Sequence, residues 1–241
     1  MTIPVANLFP HWPFGGSAEH VLTIQFLMAC AVAHGPALRN AVWAGFCAIF
    51  GFVSDAVMQV FRETGAYLKG HFRLTSGLHS NEYLQCALVL QHPAIAEGFG
   101  RELAGQLPDC DVVVSPAIGG LPIGHEVAKA KGARFIFTER DASGKMILRR
   151  GFSLRPGEAA LVIEDVVTTG GTTREVIDVA TAAGARVLAA GSIIDRSGGR
   201  VDLGLPRVAL ATLDVVAYPP DFCPMCQQGL PVEKPGSRNT A

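Results

Sequence analysis

The stretch Leu161-Val162-Ile163-Glu164-Asp165-Val166-Val167-Thr168-Thr169-Gly170-Gly171-Thr172-Thr173 decides how this sequence is read. An apolar run ends in two adjacent carboxylates, a Thr/Gly-rich turn follows, and residues 174–183 carry an apolar period suited to a helix. A buried parallel strand would in this way deliver acidic groups, hydroxyls and free backbone N–H groups to one spot. The N–H groups of such a turn and helix start can cradle a phosphate, and Thr168, Thr169, Thr172 and Thr173 add hydroxyl donors. Glu164 and Asp165 would repel a phosphate, so their natural partners are ribose hydroxyls, with a hydrated magnesium ion nearby. The spot therefore suits a phosphorylated sugar. A plainer reading exists, in which the acidic pair and the glycines merely cap a helix. The crowding of two carboxylates, four threonines and two glycines between a strand and a helix favours the ligand-binding reading.

Outward from this stretch the pattern is orderly. Val57, Val60 and Phe61 fall at helical spacing, with a stop at Gly65, and residues 70–84 read as short, polar and turn-rich. Pro93 to Leu107 reads as an amphipathic helix with Ile95, Phe99 and Leu103 on one face. Val112-Val113-Val114 is a short strand entering the turn Ser115-Pro116-Ala117-Ile118-Gly119-Gly120. A helix over 122–130 and a strand over 134–137 follow. Residues 139–151 read as a polar link, and the third strand covers 160–163. A helix over 173–183 and strands over 187–194 and 208–213 complete the pattern. Strands alternating with helices predict an α/β fold with a central, mostly parallel sheet flanked by helices, and ligands at the carboxyl ends of its strands. The acidic-Thr-Gly turn, the turn at 115–120 and Asp195-Arg196 would all meet there.

Composition narrows the function classes. The 241 residues hold 20 Lys and Arg against 21 Asp and Glu, so there is no global basic field for nucleic acid. The six cysteines are scattered and give no small-domain disulfide framework. The start has no basic n-region, so a cytoplasmic location is the default and no secretory signal or membrane partner is expected. The composition shifts sharply in residues 1–53, whose only charged side chains are Glu19 and Arg39. The apolar runs Val21–Ala33 and Ala41–Val53 are each shorter than the ~18–20 residues that cross a bilayer. Two short apolar helices, a membrane-surface anchor and an extra dimer contact remain open. We favour translated upstream sequence, with the working protein starting near Val53 or Met58, or a dispensable extension. The main domain is expected over 54–233 and a disordered tail over 234–241.

Several stretches together resemble the orotate branch of the type I phosphoribosyltransferase family. They are Gly70-His71-Phe72-Arg73-Leu74-Thr75-Ser76-Gly77, the turn at 115–120, Glu164–Thr172 and Ile194-Asp195-Arg196-Ser197-Gly198-Gly199. The resemblance covers about residues 54–233. It implies a type I fold with a small N-terminal hood and a basic lid, and transfer of phosphoribosyl from phosphoribosyl pyrophosphate (PRPP) to orotate in pyrimidine synthesis, with magnesium as cofactor. Glu164 and Asp165 would hold the ribose hydroxyls, directly or through magnesium-bound water, and no direct protein ligand to the metal is assigned. Val166, Val167, Thr168, Thr169, Gly170, Gly171 and Thr172 would wrap the PRPP phosphate. Thr168 would also touch orotate, and Arg196 would bind its face or carboxylate, which its planar fork matches. The 115–120 turn would take the pyrophosphate, Gly119 and Gly120 letting the backbone approach it. In the basic, Gly-containing link at 139–151, Arg140 and Lys145 would serve as lid cations reaching the neighbouring subunit's site in a homodimer.

The chain departs from the usual family pattern in three places. Thr75 stands where many members carry a cation, with Arg73 two positions earlier; Ile118-Gly119 stands where many carry a Lys; and the usual aromatic pair reduces to Tyr83 and Leu84. Cys223-Pro224-Met225-Cys226 is a single CxxC without an evident second pair nearby, which reads as inert, with metal binding across a dimer as the lesser alternative. His71, His79, His92 and His125 are candidates for proton chemistry that read better as structural. The rival functions are transfer to another nucleobase, a non-catalytic PRPP-binding regulator, and a membrane-associated scaffold. No helix-turn-helix or basic arm favours the second.

Overall fold

The computed structural model describes residues 54–74 and 76–235. The apolar extension 1–53, Thr75 and the tail from 236 onward lie outside the described residues. The architecture below is that of the unit Val57–Ala241. Helix α1 covers 54–63 and is followed by Gly65 at φ 67°, a dihedral that glycine takes at no steric cost. It buries Val57, Val60 and Phe61, the positions with helical spacing.

Six strands form the central sheet: β3 (Val112–Pro116), β4 (Arg134–Arg140), β5 (Met146–Leu148), β6 (Ala159–Val167), β7 (Arg186–Asp195) and β8 (Arg207–Thr212). Their order is β5-β4-β3-β6-β7-β8, and every pairing except β4 with β5 is parallel. Val112–Val114 and Leu161–Ile163 are fully buried, the continuous apolar run of strands covered on both faces. Helices α3 (Pro93–Gln106), α4 (Gly120–Lys131) and α5 (Gly171–Ala182) supply that cover. On α5, Thr173, Val176 and Ala180 turn inward at helical spacing. The chain leaves β3 toward β4 on one side and leaves β6 toward β7 on the other. The point where the strand order reverses therefore lies between β3 and β6, where the two departing loops part and open a crevice.

Four stretches differ from expectation. Residues 70–84 do not form a turn-rich segment but most of an antiparallel hairpin, β1 (Tyr67–Arg73) and β2 (His79–Leu84), with a bulge between Lys69 and Phe72. A short helix α2 (Cys86–Leu90) follows it and was not foreseen. The polar link at 139–151 is largely a second hairpin. Strand β4 runs on through Arg140, and Asp141 accepts hydrogen bonds from the Ser143 N–H and hydroxyl and from the Lys145 N–H. Gly144 at φ 85° completes the turn, and Met146, buried, anchors β5 to the core. Beyond β8, a 3-10 turn (Pro220–Phe222) and the four-residue helix α6 (Pro224–Gln227) carry the chain back against β1 and β2. Among the described residues no helix is long and apolar enough to cross a membrane.

Candidate active site

At the strand-order reversal lies an open cavity of about 1230 Å³. Strand alternation sends the adjacent carboxylates of β6 to opposite sides. Asp165 lines the cavity. Glu164 turns away from it, is buried, and accepts a hydrogen bond from the Thr173 hydroxyl of α5. Burial pushes the Glu164 carboxyl up to about 8 against that hydrogen bond, with the Asp165 and Glu175 charges adding to the rise. Burial also raises Asp165, against hydrogen bonds from backbone N–H groups.

After β6 the turn 168–170 leads into α5. Thr168 and Thr169 are exposed and, with Val166, Gly171 and Thr172, line the cavity. The first N–H groups of an α-helix lack partners within it, and Gly171 and Thr172 at the start of α5 line this space. Gly170 takes φ 74°, and a Cβ there would come 2.6 Å from the Val201 side chain, so both dihedral and packing require glycine. Arg174 braces the turn by donating to the Thr169 carbonyl (2.9 Å) and the Asp202 carbonyl (2.6 Å).

The opposite wall is the turn after β3. Its Ala117–Ile118 peptide bond is cis, and Ile118 and Gly119 face the cavity. Here the absence of a side chain is decisive, because a Cβ on Gly119 would lie 2.7 Å from Asp165 Oδ2. The two turns are thus brought into contact through the Asp165 carboxylate.

Arg196 follows β7 and lines the third side. Its Nε is buried and has no hydrogen-bond partner among the described residues. Burial works against its charge, while Tyr83, Glu82 and Cys86 support it. The turn that carries it is built by Asp195, which accepts hydrogen bonds from the Ser197 N–H (2.8 Å), the Ser197 hydroxyl (2.6 Å), the Gly199 N–H (3.1 Å) and Arg207 (2.8 Å). A guanidinium at a cavity wall, with one buried nitrogen left without a partner, suits a planar anion.

Of the residues singled out from the sequence, Asp165, Val166, Thr168, Thr169, Gly171, Thr172, Arg140 and Arg196 meet at the cavity. Four others are placed elsewhere. Glu164 is turned under the sheet by alternation, Val167 is buried in the core, and Gly170 is buried against Val201. Lys145 stands exposed at the far end of the β4–β5 turn, away from the cavity wall. Arg140 is at the wall but ion-paired, its Nη2 lying 2.5 Å from Glu175 Oε2. Arg174, Glu175, Arg200 and Lys234 also line the cavity and were missed. Arg174 and Glu175 lay next to the decisive stretch. Lys234, within the expected tail, has no local signal and reaches the site only because Glu233 bridges to Phe72 of β1.

The comparisons with known proteins agree with this geometry. No protein-family model matches the chain. The orotate phosphoribosyltransferase of Heliobacterium modesticaldum is 55% identical over 188 residues, covering 76% of this chain and 98% of that one. The orotate phosphoribosyltransferase of Pelotomaculum thermopropionicum is 54% identical over 186 residues, 76% of this chain and 97% of that one. Among solved structures, the orotate phosphoribosyltransferase of Aeropyrum pernix superposes with a TM-score of 0.53 at 27% identity, covering 64% of this chain and 92% of that one. Identity of this order across almost the whole length of these relatives places the chain in the orotate phosphoribosyltransferase family.

Proposed function

We propose that this chain transfers the phosphoribosyl group of PRPP to orotate, releasing pyrophosphate and giving orotidine 5′-phosphate. The observation that carries the reading is the cavity itself. A phosphate-type turn at 168–172, a carboxylate at Asp165 and the guanidinium-bearing Arg196, whose buried Nε lacks a partner among the described residues, face one space large enough for both substrates.

Orotate N1 attacks C1′ of the ribose and gives up its proton to solvent, while the C1′–O bond to pyrophosphate breaks and its electron pair leaves with the pyrophosphate. The transition state carries oxocarbenium character, as in glycoside hydrolysis. Little covalent chemistry is asked of the protein. Arg196 fixes the orotate carboxylate, the turn and the start of α5 hold the 5′-phosphate, and Asp165 holds the ribose hydroxyls. The backbone at 118–120, which a side chain on Gly119 would obstruct, receives the pyrophosphate.

Magnesium fits these residues. It is usually held by one or two carboxylates together with substrate phosphates, and Asp165 offers such a carboxylate beside the pyrophosphate turn. When bound, the ion supplies charge neutralisation for the departing pyrophosphate. The β4–β5 hairpin as a lid that reaches the neighbouring subunit of a homodimer, with Arg140 and Lys145 as its cations, belongs to the same reading, as does a cytoplasmic location. The family likeness supports these.

The test is loss of orotate absorbance with PRPP and magnesium, run in parallel with adenine, xanthine and uracil. Orotate consumption that needs both PRPP and magnesium, and at least about a hundredfold lower turnover in a folded Asp165→Asn variant, is expected. Turnover of another base with silence on orotate would overturn the assignment. PRPP binding without turnover of any base would replace it with a regulator.

A further inference from the structure

Away from the cavity, four side chains with metal-binding chemistry converge. His71 of β1, His79 of β2, Cys223 at the start of α6 and Cys226 within it place their ligand atoms within 4.8 Å of one another. His71, His79 and Cys223 are buried, and Cys226 closes the cluster from the solvent side. The sequence offers the CxxC plainly but hides its partners, because the histidines lie some 150 positions earlier and meet the cysteines only when the C-terminal segment folds back. No second pair is therefore evident near the CxxC in the sequence, whereas the fold sets it beside two histidines.

We propose that His71, His79, Cys223 and Cys226 bind one tetrahedral zinc ion. The spacing is that of a coordination shell. Zinc bonds of ~2.3 Å to sulfur and ~2.0–2.1 Å to nitrogen put tetrahedral S···N edges at about 3.5 Å and N···N edges at about 3.3 Å. The observed S···N separations are 3.5 Å (Cys223 to His71), 3.6 Å (Cys226 to His71) and 3.3 Å (Cys226 to His79). The two imidazole nitrogens stand 2.8 Å apart, so ion entry needs them to open by about half an ångström, within the reach of a small ring rotation.

His71 already has the tautomer the ion needs. His79 Nδ1, 2.8 Å from His71 Nε2, carries the shared hydrogen and passes its proton to its own Nε2 or to solvent when the ion enters. His71 Nδ1 lies 2.8 Å from the Leu230 carbonyl, which can only accept, so Nδ1 carries the proton and Nε2 turns its lone pair to the centre. A backbone carbonyl holding the far nitrogen of a histidine is the usual support around a metal ligand. Two thiolates and two imidazoles favour zinc over harder cations such as magnesium, and four protein ligands leave no open position. The site is thus structural, and it differs in place and in chemistry from the magnesium expected at the cavity. Binding releases the protons of Cys223 and Cys226 and joins the β1–β2 hairpin to the C-terminal segment. The paired backbones flank the cluster on both sides: the His79 and Tyr218 N–H and C=O groups exchange hydrogen bonds of 2.8 Å, and Glu233 bonds to His71 and Arg73 at the same length. Those two pieces carry Arg73, Tyr83 and Lys234 to the cavity wall, so the ion would fix the hood over the base site.

The experiment uses the full chain, purified under reducing conditions, stripped with a chelator and titrated with zinc alone against a chromophoric competitor, with cobalt(II) as a spectroscopic substitute. Expected are one equivalent bound per chain, a thiolate-to-cobalt charge-transfer band, and a higher thermal midpoint in the zinc form. Cys226→Ser, at the exposed corner and tolerable to folding, should weaken zinc binding at least a hundredfold, whereas Cys110→Ser should bind as the parent does. Less than stoichiometric uptake at micromolar zinc, uptake unchanged by Cys226→Ser, or a persistent Cys223–Cys226 disulfide in reductant would each overturn the proposal.

Discussion

Gly119→Ala tests the junction of the two turns without disturbing the fold. Gly119 has φ −57° and ψ −42°, ordinary helical values that alanine accepts. The added Cβ would nevertheless stand 2.7 and 2.8 Å from the two carboxylate oxygens of Asp165, where ordinary contact begins at 3.4 Å. The carboxylate must therefore withdraw by about 0.7 Å, and as the end of a side chain it can do so by rotation. Removing a glycine from the unfolded chain contributes about 0.4–1 kcal/mol of stability, which offsets the local strain, so the thermal midpoint should hardly move. Catalysis should move much more. A misplacement of ~1 Å can cost about a hundredfold, so kcat/KM for PRPP should fall about 10- to 100-fold, or about 1.4–2.8 kcal/mol. The assay is the initial rate of orotate consumption over a range of PRPP at saturating magnesium, with a melting curve on the same sample. Gly105→Ala is the control: a Cβ there meets nothing within 4 Å, so it should leave kcat/KM unchanged and raise the midpoint slightly, as removal of a helical glycine does. If Gly119→Ala kept kcat/KM within twofold of the parent with an unchanged midpoint, the position of the Asp165 carboxylate would not matter to the reaction. A midpoint lowered by many degrees would show that the clash is not taken up by the side chain.

The remaining predictions concern charge. Arg196→Ala should raise KM for orotate at least tenfold while KM for PRPP changes little, because a charged hydrogen bond to the base is worth about 1.5–3 kcal/mol; equal loss for both substrates would argue against a base-side role. Glu175→Gln releases Arg140 from a half-exposed ion pair worth about 0.2–1 kcal/mol and should tighten PRPP binding up to about fivefold; weaker binding would mean that the pair is a strut for the β4–β5 hairpin. Glu158 is buried, which works against its charge, yet hydrogen bonds from the Arg155 N–H and from the Arg134 and Arg155 side chains hold it down to about 2. A depressed carboxyl contributes stability above its ordinary value near 4.5 and loses it as pH falls toward about 2. Glu158→Gln should accordingly cost about 1–2 kcal/mol at pH 7, discounted because Arg155 is 75% exposed, and about a quarter of that near pH 2.5; an equal cost at both pH values would refute the charge-based account.

The central sheet was legible because its strands are buried on both faces and read as unbroken apolar runs. Val112–Val114 and Leu161–Ile163 needed no partner information to be recognised. Both hairpins were harder to see. β1 and β2 carry Lys69, His71, Arg73, His79 and Glu82, an alternation diluted by polar residues on a small two-stranded sheet. At 139–151 the charges of Arg140, Lys145, Arg149 and Arg150 outweighed the Asp-Ala-Ser-Gly turn and the Met-Ile-Leu run that in fact direct the pairing. In the site, motif adjacency located the cavity but not the direction of each side chain. Glu164 and Asp165 look equivalent in the sequence, and only the strand pleat separates a buried carboxyl from one at the wall. Contacts across long separations, His71 with Cys223 or Glu233 with Phe72, leave no local trace at all.

The way the cavity holds its positive charge bears on the order of events. Arg140 is tied to Glu175, Arg174 to two carbonyls and Arg200 to Asp214 at 2.7 Å, all at partly or fully exposed positions. Exposed pairs of this kind are worth about 0–1 kcal/mol, so an arriving pyrophosphate can exchange them at little cost. Arg196 is different: it lines the cavity with its Nε already desolvated and without a partner among the described residues, and the four hydrogen bonds on Asp195 hold its turn before any ligand comes. A preformed buried donor discriminates strongly, because a base without a matching acceptor leaves it unpaired. Glu164 supports the anion side in a different manner. It turns away under the sheet, where burial favours its neutral form, so the cavity wall at the end of β6 presents Asp165 alone to a polyanionic sugar. On the proposed reading, choice of base therefore resides in the rigid β7 turn, whereas affinity for the sugar phosphate is assembled from weak surface pairs that rearrange as it binds.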